Sequence, residues 1–363
     1  MNLSIFGAQG YALGAYKAIT TLYPRRSTSF FIVSKMGNNC PMLGGIPVRE
    51  IKDVADEMTK EEKDELEIII ATPENVQPEI EEALENYGFH HYSRLDSERW
   101  NELMKMFHIR LNRFLPLSAL PVGYHKPFVR LYMAKSHKDT PLRNIPELAD
   151  YIYPLQVGRS NADKKIAYFT DDQGENISSK NSNYCELTGL YWIWKNKLSN
   201  IASADDESRQ YFGMNQYRRM LLLSDDDLLR LADNEVDVIL PYPMPYEPDI
   251  NEHHKRYIKE VDWSAMLTAL KELEPEYASY FPKVLEQQYL YNYNVILAKK
   301  SVLRGYCEWL FPILERTEAL SEPKGGERAD RYIGYMGETL ETLYFMRNAE
   351  RLNIVHTACK FYV

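Results

Sequence analysis

Near its N-terminus the chain alternates short apolar runs with helical ones, and this alternation limits the folds open to it. The run LSIFGAQGYALGAYKAI, residues 3–19, reads as a strand, a glycine turn and a helix. Further apolar runs follow at SFFIVSK and LEIIIAT. The segment NVQPEIEEALENYG places Pro78 at the start of a helix and Gly88 at its end, the usual punctuation. Strands separated by helices pair in parallel, because the crossover returns each strand in the same direction. The expectation is an α/β chain. A Rossmann-like parallel-sheet domain covers residues 1–100, a basic linker 101–123 and a second α/β domain 124–363. With 363 residues and 45% hydrophobic content, the chain can build two cores.

Gly7, Gly10 and Gly14 invite a nucleotide reading, since glycines let backbone approach a pyrophosphate at a helix N-terminus. A ribose-binding acid is then required at the end of the second strand. That strand ends in Ser34 and Lys35, which disfavours NAD. Lys35 leaves a 2′-phosphate, and so NADP, open. The other reading is that the glycines serve only a tight strand-to-helix turn.

A net charge of −9 excludes bulk attraction to nucleic acid. MNLSIFGAQG enters a folded pattern directly, so no signal peptide is read there, and no apolar run approaches the ~20 residues of a membrane span. Cys40, Cys185, Cys307 and Cys359 lie far apart without metal spacing, which points to free thiols in a reducing compartment. The expected location is cytoplasmic. Between Met104 and Lys138 stand Lys105, Arg110, Arg113, Lys126, Arg130, Lys135 and Lys138 with no acid among them. Such a stretch suits peripheral contact with anionic lipid at the inner membrane face, or ordinary surface pairing with acidic neighbours.

The segment NYCELTGLYWIWKN, residues 183–196, mixes hydroxyls, a carboxylate and two Trp, a mixture that suits a pocket wall. YFGMNQYRRML follows and ends a strand in Arg218 and Arg219. Guanidinium forks match phosphate oxygens. Asp225, Asp226 and Asp227 follow Ser224 and read as a capped helix start. His253 and His254 read as surface residues, and Trp263 as surface or interface. Asn292 and Asn294 fall on an expected strand, both on one face. One competing pattern is Tyr191-x-x-x-Lys195 with Ser178 upstream, the spacing of a short-chain oxidoreductase.

Taken in order, an Asn-Ile-Ser segment, E-L-T-x-L-Y-W-x-W-K-N, a strand end in Y-R-R, D-x-I-L-P and R-x-x-G-Y-x-x-E resemble a bacterial family of capsular and exopolysaccharide glycosyltransferases. Its shared segment is described only as a domain of unknown function. The resemblance covers residues 124–363, and the first domain resembles an accessory module that precedes some members. It implies a GT-A-like fold and a nucleotide-sugar donor, UDP-linked and with galactofuranose among the sugars. It also implies a lipid-linked or oligosaccharide acceptor. Where the family carries His before Tyr-Arg-Arg, this chain has Gln216, which keeps a hydrogen bond and loses titration. Donor contacts are then expected from Arg218, Arg219, Gln216, Tyr217, Asn183, Tyr184, Thr188, Tyr191, Asn294 and Tyr335. Glu338 is expected as the acceptor base, with Glu186 orienting the donor. No cofactor is required by the sequence; a divalent Mn or Mg ion is left open. The alternatives are an NADP-dependent oxidoreductase built on Ser178, Tyr191 and Lys195, and a non-catalytic polysaccharide-assembly module.

Overall fold

The computed structural model describes residues 3–143, 147–198, 208–323 and 328–363. The chain divides into two compact units. One comprises Met1–Phe114, Met244–Pro248 and Val363; the other comprises Leu115–Pro243 and Asp249–Tyr362.

In the first unit β1 (Leu3–Phe6) is buried at every position, as a central parallel strand must be. It leads through Gly7 into α1 (Gly10–Leu22) and then β2 (Thr28–Val33). A hairpin of β3 (Met42–Leu43) and β4 (Ile46–Glu50) follows, then α2 (Ile51–Glu57), α3 (Lys60–Glu65), β5 (Glu67–Ile70), α4 (Gln77–Asn86), β6 (Tyr92–Arg94) and α5 (Ser97–Leu111). The sheet order is β3-β4-β2-β1-β5-β6, parallel except for the hairpin. Helices cover both faces: α1 and α5 pack on one, α2 and α4 on the other. Pro78 and Gly88, at φ 81°, bound α4 as expected.

Helix α5 occupies part of the stretch assigned to a linker. Asp96 caps it through Arg99 N, and Trp100, Met104, Phe107 and His108 form its buried face. Its outer face carries Lys105 and Arg110. The glycines of the first turn serve packing. A Cβ on Gly14 would lie 2.3 Å from the Trp100 ring, and one on Gly10 would meet Met244 and the Pro245 carbonyl at 3.2 Å. The chain's own segment 244–248 therefore lies against the glycine turn. Lys35 is exposed.

The second unit is built on a nine-stranded sheet. Its strands are β7 (Phe128–Lys135), β8 (Ile152–Gln156), β9 (Phe169–Thr170), β10 (Gln210–Gln216), β11 (Arg219–Leu221), β12 (Val238–Pro241), β15 (Ile296–Lys299), β16 (Ile354–Thr357) and β17 (Cys359–Phe361). The short strands β13 (Met244–Pro245) and β14 (Tyr289–Leu290) lie outside it. The main path runs β16-β12-β15-β10-β7-β8-β9, with β11 joining β10 to β17. Only β15 runs against its neighbours on that path.

The described α-helices of this unit are α6 (Asn181–Tyr184), α7 (Leu187–Ile193), α8 (Asp225–Asp233), α9 (Ile250–His254), α10 (Glu260–Leu273), α11 (Pro275–Leu285), α12 (Lys300–Leu320) and α13 (Tyr332–Arg347). Ser224 caps α8 in a capping box with Asp227, as the sequence predicts. His253, His254 and Trp263 are buried rather than on the surface; His254 stacks on Trp263 at 3.7 Å. All four cysteines are free thiols. No described helix is long and apolar enough to cross a membrane.

Candidate functional site

The parallel strands β7, β8 and β10 end side by side, with Gln216 paired to Ala134 and Ala134 to Leu155. Carboxyl ends of parallel strands are where α/β sheets leave a crevice, because the connections diverge there. A cleft of about 520 Å³ opens at this edge, wholly within the second unit. Lys135 and Lys138 line it from the end of β7, Arg218 and Arg219 from the β10–β11 hairpin, and Arg331 from the start of α13. Five cations thus face one cleft in a protein of net charge −9. Arg218 donates to the Tyr217 hydroxyl, and its buried Nε has no partner among the described residues. The Arg219 guanidinium lies between two rings, 3.7 Å from the centroid of Tyr293 and 4.6 Å from that of Phe361. Pairing of β11 with β17 sets Phe361 opposite Arg219.

Carboxylates stand beside these cations. Glu186 lines the cleft, and its Oε1 accepts from Gln216 Nε2 at 2.9 Å and Asn294 Nδ2 at 2.8 Å. Glu338 accepts from Tyr293 N at 2.9 Å on Oε1 and from Asn292 Nδ2 at 3.2 Å on Oε2. Burial pushes both carboxyls above the ordinary range. For Glu338 the charge of Glu186 adds to burial, and together they bring it to about 7. One turn along α13, Glu341 is buried with neither oxygen bonded among the described residues; burial and its two acidic neighbours push it well up. Like charges held together in a dry site share protons instead of all ionising.

The backbone around this group is strained. Cys185, Tyr293, Asn294 and Arg331 have φ of 51°, 76°, 50° and 65°. Such conformations cost about 1–3 kcal/mol each for residues other than glycine and gather at functional sites. Arg331 Nε donates to Cys185 Sγ at 3.3 Å, joining two of these positions.

The raised Glu338 carboxyl has a consequence for stability. A carboxyl whose folded value lies above its unfolded one favours the folded state fully below about pH 4.5, and that contribution is lost as pH rises to about 7. Glu338→Gln cannot ionise, so its melting temperature relative to the parent should climb between these pH values and level off above. A gain of about 3 kcal/mol is expected at pH 8 and little at pH 4.5, read by thermal melts across pH. A pH-independent difference would contradict the buried, charge-coupled carboxyl.

The structure gathers Glu186, Gln216, Tyr217, Arg218 and Arg219 at the cleft, with Asn294 bonded to Glu186. It does not bring the other candidates there. Asn183 is buried and uses its amide on Arg328 O at 2.5 Å and Asp330 N at 3.2 Å. Tyr184 donates to Glu318, and Thr188 to Asp171. Ser178 also donates to Asp171, while Tyr191 and Lys195 both turn to Glu175. Ser178 thus bonds a different carboxylate from the other two members of the oxidoreductase pattern. Tyr335 stacks on Tyr257 at 4.9 Å. Asn292 and Asn294 lie in a turn before β15, where their amides hold carboxylates.

Lys135, Lys138, Arg331 and Cys185 were not foreseen as site residues. Two of them stand in the acid-free stretch whose charges suit either anionic lipid or ordinary surface pairing. Several of the others in that stretch are engaged locally. Lys126 pairs with Asp225, Lys105 with Glu102, and Arg130 lies over Phe128 and Tyr153.

Residues 130–349, more than half of the chain, match the family model described as Domain of unknown function (DUF4422). The chain belongs to this family. Every cation and carboxylate of the cleft named above lies inside the DUF4422 segment; Phe361 lies beyond it. No curated protein matches the chain. Among solved structures it is similar to the WbbM bifunctional glycosyltransferase in its apo form, at 25% identity and a TM-score of 0.53. That likeness covers 64% of this chain and 45% of WbbM, so the chain spans less than half of that protein's length.

Proposed function

We propose that the DUF4422 unit is an inverting glycosyltransferase that takes a sugar from a nucleoside-diphosphate donor. The observation that carries this reading is the cationic cleft at the strand ends with partly buried carboxylates in and behind its wall. The likeness to a bifunctional glycosyltransferase supports it. The donor diphosphate lies among Arg218, Arg219, Arg331 and Lys135. These fixed charges receive the negative charge that grows on the leaving oxygen, where preorganised donors matter most.

Of the two glutamates, Glu186 is the one that lines the cleft, so it is assigned as acceptor base in place of Glu338. Gln216 and Asn294 both bond its Oε1, and neither engages Oε2. The acceptor hydroxyl gives its proton to Glu186 as its oxygen bonds the anomeric carbon. The bond from that carbon to the diphosphate oxygen breaks, and its electron pair leaves with the diphosphate. Glu186 ionises first, and its charge holds Glu338 protonated to higher pH by like-charge repulsion. Among the cleft-lining residues the acids Asp139 and Glu186 face five cations, a set that fits an anion and does not fit a divalent metal. The acceptor belongs to polysaccharide assembly, lipid-linked or oligosaccharide, and UDP-linked sugars are the first donors to test.

A thermal-shift panel of UDP-, GDP- and CDP-sugars beside NADPH tests this reading. A shift with one nucleotide sugar supports it, and a shift with NADPH alone overturns it. Binding without any turnover would favour a silent assembly module.

A further inference from the structure

Tyr293 stands at the meeting point of three groups to which the proposed chemistry gives separate tasks. Its ring carries the Arg219 guanidinium at 3.7 Å. Its backbone N–H donates to Glu338 Oε1 at 2.9 Å. Its carbonyl accepts from Gln216 Nε2 at 2.7 Å, and the same amide nitrogen donates to Glu186 Oε1 at 2.9 Å. The residue adopts φ 76°, a conformation that favours Gly, Asn or Asp over Tyr. A turn needing only that backbone would be easier to form with another residue, so the ring is what the strained position adds.

We infer that Tyr293 is a positioning residue that couples the phosphate-binding arginine to Glu186 and Glu338. The coupling rests on the reading of the cleft as a donor-diphosphate site. Arg219 on the Tyr293 ring is the cation that faces Glu338. The other titratable groups facing that carboxylate are Glu186 and Cys185 before α7, Glu341 and Tyr335 on its own helix, and Tyr293 itself. A diphosphate that neutralises Arg219 removes the attraction that favours ionised Glu338. Donor binding is therefore linked to proton uptake at Glu338, and the link runs through the turn at Tyr293.

The test uses Tyr293→Phe and Tyr293→Asn in the full chain, with UDP-glucose and GDP-mannose as probes. Their diphosphates are diesters and do not themselves titrate between pH 6 and 8. Calorimetry gives affinity at each pH and, from buffers of different ionisation enthalpy, the protons taken up. The parent should bind one probe more weakly at pH 8 than at pH 6, with net proton uptake, and Tyr293→Phe should match it. Tyr293→Asn suits the turn and removes the ring. It should lose about tenfold in affinity and most of the proton uptake. If the Asn variant does not fold, Tyr293→Gly puts the same question with no backbone strain. A folded Asn or Gly variant with the parent's affinity and proton uptake overturns the inference. A parent that binds neither probe overturns the reading of the site beneath it.

Discussion

Replacing Arg218 and Arg219 together by Ala is expected to weaken nucleotide-sugar binding by about 10²–10⁴-fold, at ~1.5–3 kcal/mol for each charge-assisted hydrogen bond to phosphate that is removed. The fold should survive, because the β10–β11 hairpin is held by backbone pairing of Arg219 with Gln216 and Phe361. Arg219 should account for the larger share. Its side chain is fixed between Tyr293 and Phe361, so less freedom is lost when a phosphate arrives. Titration calorimetry on the two single variants and the double one measures this. A folded double variant with the parent's affinity would remove the diphosphate from this end of the cleft.

Glu186→Gln is expected to lower turnover by about 10²–10⁴-fold while leaving donor affinity nearly intact, since it keeps the shape and removes the base. Glu338→Gln should act differently. Glu186 ionises before Glu338, so the acid limb of the rate profile should stay near the parent's while turnover at pH 8 falls less than in Glu186→Gln. Initial rates of both variants between pH 5 and 9 separate the roles. Parent-like turnover in Glu186→Gln would show that this carboxylate takes no proton. A large loss confined to Glu338→Gln would return the base to the position first expected from the sequence.

Much of the architecture was legible in the sequence. Strands such as β1, buried throughout, appear as unbroken apolar runs, and Pro78 and Gly88 mark the ends of α4. Helix α5 was hidden because its exposed face carries the charges, while the apolar stripe of Trp100, Met104 and Phe107 is spaced along the other face.

At the site, Gln216, Arg218, Arg219 and the two glutamates were readable, as strand-end and motif residues. The hydroxyls of Tyr184, Thr188 and Tyr191 were misleading. A polar side chain satisfied by a buried Asp171 or by Glu318 has the same letter as one aimed at a ligand. Asn294, at φ 50°, carried an unused signal: Asn tolerates the left-handed region, which argues for a turn over a strand. Lys135 and Lys138 join the arginines only because β7 runs parallel to β10, a pairing between segments about eighty residues apart that local pattern does not encode.

The most direct test of the central claim is a crystal structure with the nucleotide sugar that gives the largest thermal shift. The account predicts the diphosphate between Lys135, Arg218, Arg219 and Arg331, with the anomeric carbon toward Glu186. A diphosphate bound instead at the Gly7–Gly10 turn of the first unit, with the strand-end cleft empty, would contradict it.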